Sequence, residues 1–551
     1  MSNPIVEREL VGILRTRRAF VTQVGVAVLV SLLVLLRWPT DARADLSGSQ
    51  AQQVFRIFGY GLTMILVLLV PAFPATSIVR EKQSRTLELL LNSPLSSVDI
   101  FFAKLIGVLV IAFLPLMMSV PAACACYGMG GLSLQDLLQL YGVLAMLTIQ
   151  FAAMALWVSS LSQTTDAALR MTYGVVFLLI VATLGPYQFV HGKPWPLVVT
   201  VALWVRSISP LPAIMEILGH GDIGLQGLVG AAGAPRRYSI LAGISAALFS
   251  IHTLSLLNPR IFDRSRSQGV ITDDRSRGQQ WFRRLVFLVD PQRRSGMIGD
   301  YTNPVLIKEF RTRRFGRSHW TLRIIALCTM ISLGLTYTSS TGSSDWGVES
   351  VSGLMVVLQV GLILLLTPGL AAGLISTELE SGGLALLRAT PLSASTILFG
   401  KLTSAALTTV LILLATLPGY LVMIYIQSSL RQQVLYVLIC LLLLAAFAVV
   451  LSALIGSFCR RTATATATSY ATLSTLSVGT MLFWLGGETF DHRTIERMLM
   501  FNPMAAALSV MEVRGFENFD LIPANWWIIG SSTLIMLMIL MLRVRRLLAP
   551  Q

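Results

Sequence analysis

Charge is scarce in this chain. Only 13% of its 551 residues are Asp, Glu, Lys or Arg, against 54% hydrophobic residues and a mean hydropathy of +0.73. That balance excludes an ordinary soluble domain, in which about a quarter of residues are charged. Carboxylates are scarcer still: Asp99 and Asp136 sit at the ends of apolar runs, and Glu488 and Asp491 fall beyond one. An ion-driven carrier ordinarily places ionisable groups at membrane depth, so that class is disfavoured. Five cysteines include one C-x-C (Cys124, Cys126) but no C-x-x-C, and Cys328, Cys440 and Cys459 stand alone, so buried free thiols are expected. Five histidines, His191, His220, His252, His319 and His492, are scattered without metal-ligand spacing. These patterns leave no metal centre and no catalytic residues to name. No G-x-x-x-x-G-K-[ST] occurs, and "FGKL" at 399–402 lacks the upstream glycine, so the chain is not expected to bind ATP directly.

What is present is apolar length. Runs able to span a bilayer, about 20 residues each, read at 20–36, 57–79, 101–125, 138–160, 170–187, 239–257, 321–338, 353–375, 399–425, 434–456, 469–486 and 525–542. An all-α, polytopic membrane protein of about 12 spans is expected. The stretch 195–218 is apolar too, but Arg206, Pro210 and Pro212 make it a re-entrant or interfacial segment rather than a simple span. With the N-terminus in the cytoplasm, Arg15, Arg17, Arg18, the stretch 80–104, the 258–323 region, Arg543, Arg545 and Arg546 share one side. The opposite loops 122–136 and 339–352 hold no Lys or Arg. The positive-inside rule thus accounts for most of the net charge of +15 and places both termini in the cytoplasm. Nucleic acid is not an expected partner, because the basic residues flank spans and form no aromatic-interleaved patch. The run 19–36 followed by "ARA" imitates a signal peptide, but its basic preamble recurs in mid-chain, so 20–36 reads as a retained span.

The chain is written twice. "NPIVERE" with "RTRR" (3–9, 15–18) matches "NPVLIKE" with "RTRR" (303–309, 311–314). Glu81 and Glu378, Pro94 and Pro391, Lys104 and Lys401, and Tyr173 and Tyr470 each lie 297 residues apart, and "SPLPA" (209–213) faces "NPMAA" (502–506). Six spans per copy is an even number, so the repeats are parallel and not inverted. The expected organisation is a first six-span half at 1–257, a basic cytoplasmic linker at 258–302 and a second half at 303–551.

Each copy interrupts its apolar text at the same place. "REKQSRTLELLL" puts Leu87, Leu90 and Leu91 on one helical face and Glu81, Arg85 and Glu88 on another, which predicts an amphipathic helix ending at Ser93. Ser93 is then the expected N-cap of the third span, with Pro94 at its first position. The second copy, "ISTELESGGLALLRA", has the thinner charged set Glu378, Glu380 and Arg388, with Thr390 as cap before Pro391. The preambles predict interfacial helices: one along 4–18 with Glu7, Arg8 and Glu9 on its polar side, and a shorter one at 304–317 with Lys308 and Glu309.

An interfacial "NP…E…R" helix, two spans, "E…R.LE.LL.SPL…I…KL", then four more spans with "NP..A" between the fifth and sixth resembles the permease subunit of ABC-type exporters of the type-2 class. The resemblance implies a membrane-spanning transport subunit without an ATPase site of its own. It implies partners too: two copies of an ATP-binding subunit, or a heterodimer, which carry the ATP and Mg, together with the lipid bilayer and further accessory proteins. It implies coupling helices at about 79–92 and 376–389, a connecting role for the preambles, and a plasma-membrane location, the bacterial inner membrane. Two halves on one chain, and the loss at the second site of residues matching Arg85 and Glu88, depart from the usual pattern. A mechanical-signalling or anchoring subunit of the same architecture, and an ATP-independent parallel-repeat carrier, are the competing classes.

One span could line a path. In "RRTATATATSYATLSTLSVGT" (460–480), Thr468, Thr472, Thr475 and Gly479 share a helical face. Small hydroxylated residues equally permit close helix packing. The substrate is not legible, although nonpolar spans and short outer loops would tolerate a lipid-like cargo.

Overall fold

The computed structural model describes residues 6–8, 11, 15, 17–35, 49–93, 95–183, 187, 195–219, 233–257, 303–312, 329–330, 333–334, 348–485, 490–513 and 515–549. Every regular element among them is helical. In lipid this follows from the backbone, since a helix satisfies its own amides and carbonyls where no water can. Among the described residues, eight stretches are long and apolar enough to cross a membrane: Ala51–Gln83, Ser97–Gly128, Leu134–Leu161, Ala234–Leu256, Ser352–Ser381, Ala394–Ile426, Ser428–Phe458 and Ala524–Leu548. Phe20–Leu35 is a shorter apolar helix. The expected span 321–338 falls almost wholly outside the described residues. The chain divides into two compact units, 1–263 with 478–495 and 264–477 with 496–551.

In the first unit α1 (Arg17–Leu35) and α2 (Ser49–Leu69) precede a break before α3 (Ala72–Gln83) and the short α4 (Thr86–Leu91). Pro71, which has no amide to donate, stands at that break. α5 (Ser97–Met118) and α6 (Val120–Gly128) form one bent span, with Pro115 inside and Pro121 just after the bend. α7 (Leu134–Leu161) is the central helix, and its buried Leu144 and Phe151 meet Phe58, Leu62, Leu66 and Tyr238 in one core. α8 (Thr165–Phe177) continues as a π-turn over Leu178–Ala182. α9 (Pro196–Arg206) and α10 (Pro210–Ile217) meet at 86°, in accord with the re-entrant expectation for 195–218, and α11 (Ala234–Leu256) closes the unit. Glu216 fixes the start of α11 by accepting from the Gly233 and Ala234 amides at 2.8 and 2.9 Å.

The second unit contains α12 (Pro304–Thr312), α13 (Val348–Ala371), α14 (Gly373–Ser381), α15 (Leu384–Arg388), α16 (Ala394–Leu414), α17 (Leu417–Ile426), α18 (Arg431–Phe458) and α19 (Thr462–Ser474). In chain order a π-turn over Thr475–Gly479, α20 (Met481–Leu485) and α21 (His492–Leu499) come next, of which 478–495 group with the first unit, and α22 (Pro503–Val510) and α23 (Ala524–Leu548) complete the second. The offset of 297 reappears in three dimensions. α7 and α18, α8 and α19, and both π-turns begin and end at matched positions, and Pro71 and Pro121 match Pro368 and Pro418. The Tyr173 hydroxyl donates to the Leu68 carbonyl at 2.5 Å and the Tyr470 hydroxyl to the Leu365 carbonyl at 2.6 Å, again 297 apart at both ends.

The thiols meet expectation in part, and Cys328 lies outside the described residues. Cys126 and Cys440 are buried, but Cys124 is exposed and Cys459 half-exposed; all four are free.

Candidate functional site

The repeated interruption forms a polar hinge in each unit. In the first, α3 carries Glu81 at its end, where Lys104 from the second turn of α5 meets it, Nζ to Oε1 at 2.9 Å. The same oxygen accepts from Arg8 Nη2 at 2.9 Å, so one carboxylate ties together the preamble, the end of the second span and the start of the third. Lys104 is 1% exposed. A cation so placed requires a paired anion, since an uncompensated buried charge is strongly destabilising.

The second unit builds the same junction with one more described partner. Lys401 Nζ lies 2.7 Å from Glu309 Oε1 and 2.9 Å from Glu378 Oε1, while Lys308 approaches Glu378 at 3.6 Å. Two cations and two carboxylates thus balance around a buried lysine. Asn303 seats α12 on α16, accepting from the Val305 amide at 3.0 Å and donating to the Thr396 carbonyl at 2.8 Å. Gly400 makes room for it, because a Cβ there would lie 2.8 Å from the Asn303 side chain.

Three expectations need correction. The 79–92 and 376–389 segments are not single amphipathic helices: α3 and α14 end at Gln83 and Ser381, and a turn separates each from its short successor. Arg85, exposed on that turn, has φ +58, and its match Gly382 has φ +73. A left-handed residue cannot continue a right-handed helix, and glycine adopts that geometry without steric cost. Its neighbour Gly383 leaves space for the Glu378 carboxylate, which a Cβ would strike.

Second, neither Ser93 nor Thr390 caps the third span. Both hydroxyls turn back to helix carbonyls, Ser93 to Leu90 and Thr390 to Leu387. The cap of α5 is Ser96, in a capping box with Asp99, and that of α16 is Ser393, accepting from the Thr396 amide at 3.1 Å. Pro391 is exposed in the turn before Ser393.

Third, Glu309 does not face a membrane surface but is buried against Lys401. Arg8, though exposed, is held by Glu81, and Glu7 is exposed on its short helical segment. Glu9 and Pro94 lie outside the described residues, and Glu88 falls on α4.

The remaining charges of the second hinge, Glu380 and Arg388, are exposed but bonded within their own unit. Glu380 Oε2 accepts from the Thr462 amide at 2.9 Å and its hydroxyl at 2.8 Å, which caps α19. Arg388 Nε donates to the Leu547 carbonyl at 2.8 Å, near the end of α23, where a cation complements the helix dipole. Lys104 and Lys401 were legible as repeat-matched lysines beside apolar runs, but nothing local in the sequence paired them with Glu81 and Glu378. Thr468, Thr472 and Thr475 are exposed together on one face. The first two return their hydroxyls to the Thr464 and Thr468 carbonyls at 2.5 and 2.8 Å, so they are polar without being free donors.

Comparison with known families bears on the first half. No curated protein matches the chain. Residues 4–220, which include the first hinge and the bent α9–α10 pair, match the family model described as ABC-2 family transporter protein. That family is a membrane component of ABC transporters that works with ATP-binding subunits and is not itself the ATPase. The match supports an ABC-2 type permease region within a multi-pass, all-helical membrane protein.

Proposed function

We propose that the chain is the membrane-spanning subunit of an ATP-driven ABC transporter working as an exporter, with two six-span halves (1–257 and 303–551) joined by a cytoplasmic linker. Two ATP-binding subunits, identical or paired as a heterodimer, dock at the hinges and carry the ATP and Mg. Both termini lie in the cytoplasm, and the membrane is the bacterial plasma membrane. The observation that carries this reading is the buried lysine–glutamate junction, built at matched positions in both units.

The junction suits force transmission. A push on the turn at Arg85 or Gly382 acts on a short helix that is separated from its span by a left-handed residue. The ion cluster, being buried, resists separation of the preamble, second span and third span, so displacement passes to all three together. Glu81, Arg85, Glu88 and Pro94 make up the first contact, and Glu378, Glu380, Arg388 and Pro391 the second. Thr468, Thr472 and Thr475 are candidates for the lining of a path.

Purification of the tagged protein from its native cells in mild detergent, with mass spectrometry and an ATPase assay, tests this. Wild type should bring down an ATP-binding subunit with ATPase activity, and Arg85→Glu should deplete it. If wild type recovers no ATPase under several gentle conditions, the anchoring and carrier readings replace this one.

A further inference from the structure

The two π-turns have a shared partner that neither the hinge nor the transport reading uses. A π-turn admits one extra residue, widens the helix and leaves a carbonyl without its usual amide. The middle residues of the two turns are Ile180 and Ser477, again 297 apart. Each carbonyl is taken up by the N-cap of a later eight-residue helix, α10 or α22. Ser209 Oγ donates to the Ile180 carbonyl at 3.0 Å, and Asn502 Nδ2 donates to the Ser477 carbonyl at 2.7 Å. Both donors are fully buried and both are N-caps followed by proline. Ser209 accepts from the Leu211 amide at 3.4 Å; Asn502 accepts from the Met504 and Ala505 amides at 2.9 and 3.3 Å.

One side chain therefore does two things in each unit: it begins α10 or α22, and it holds open the π-turn of the preceding span. We propose that Ser209 and Asn502 are positioning residues of a two-state latch, in which losing the bond to the π carbonyl lets the turn rewind to α-helix. Rewinding by one residue rotates everything beyond the turn by about 100° and shifts it about 1.5 Å along the axis. A latched span and a released span thus present different faces. In the second unit the Ser477 hydroxyl is fully buried with no partner among the described residues, a cost of the latched state that rewinding can relieve. The latch is independent of the transport reading; only its use in moving a substrate rests on that reading.

Hydrogen exchange with mass spectrometry on the full chain in lipid nanodiscs tests the latch, comparing Asn502→Ala, Asn502→Ser and Ser209→Ala. Asn502→Ala should speed exchange over 475–482 by at least about tenfold, leaving 86–91 and 384–388 unchanged. Asn502→Ser should fall between Ala and wild type, and Ser209→Ala should act on 178–183 alone. Deleting Leu476 removes the extra residue, so in that background Asn502→Ala should add no further acceleration at 475–482. Exchange that is unchanged, that rises equally throughout the chain, or that still rises with the deletion present, overturns the proposal. Because the readout is backbone exchange, the latch can stand where no ATPase is recovered, and fall where one is.

Discussion

The two hinges share a plan and differ in where their charges point. In the first, Arg85 stands exposed on the turn in a left-handed geometry that costs a non-glycine residue energy. In the second, glycine takes that position, Glu380 caps α19 and Arg388 holds the end of α23. The helices at 196–206 and 492–499 differ as well. α9 and its N-cap expose Trp195, Leu197, Val201 and Trp204, whereas α21 exposes His492, Arg493 and Arg497. The number of charges in a repeated motif is therefore a poor guide to what it offers a partner. At the second hinge the exposed Glu380 and Arg388 are both bonded within their own unit, and at the first Arg85 stands exposed on the turn.

The comparison can be broken most forcefully at the buried lysines. Lys401→Met leaves Glu309 and Glu378 facing one another inside the protein and should cost about 3–5 kcal/mol, read as loss of monodisperse protein on heating in detergent. Adding Glu309→Gln should recover part of that loss; no recovery would show that the carboxylates do not share the lysine. Next in size is the cap. Glu380→Ala should destabilise by about 1–2 kcal/mol in thermal unfolding, while Gln83→Ala at the matched, exposed position should change almost nothing. Exchanging the turn residues sharpens the contrast. Gly382→Arg should cost about 1–2 kcal/mol, and Arg85→Gly should be neutral or slightly stabilising while lowering recovery of ATPase activity. The smallest effect belongs to Arg388→Leu, which copies the matched Leu91 and should shift stability by about 1 kcal/mol or less. If it instead abolished ATPase recovery, Arg388 would be a partner contact and not an internal clasp.

The sequence made the helical class and eight of the twelve expected spans legible, because apolar length survives without tertiary context, whereas 20–36 is a shorter helix and 170–187 and 469–486 are not among the membrane-length helices. It also marked 195–218 as irregular through Arg206 and two prolines. It was silent on the breaks at Arg85 and Gly382, since backbone handedness at a lone arginine leaves no pattern. The caps were misplaced by three residues because Ser93-Pro94 and Thr390-Pro391 carry the usual start signals, while the decisive pairs were Ser96 with Asp99 and Ser393 with Thr396. The π-turns could not be read, since one inserted residue inside an apolar span changes no periodicity that both faces share. The bond of Glu380 to Thr462 was not legible, because the two are 82 residues apart.

At the crossing of the second and fourth spans, Ser159 accepts from the Ile78 and Val79 amides at 3.1 Å each. The matched residue in the second unit is Gly456, which lies so near Ala372 that a Cβ would collide with its carbonyl. One crossing is tied by a hydroxyl, and the other is sized by a missing side chain. Trimming can slacken only the first, since Gly456 has no side chain to lose. The joint at these matched positions is a knot in one place and a keyhole in the other, so the two crossings have different modes of failure.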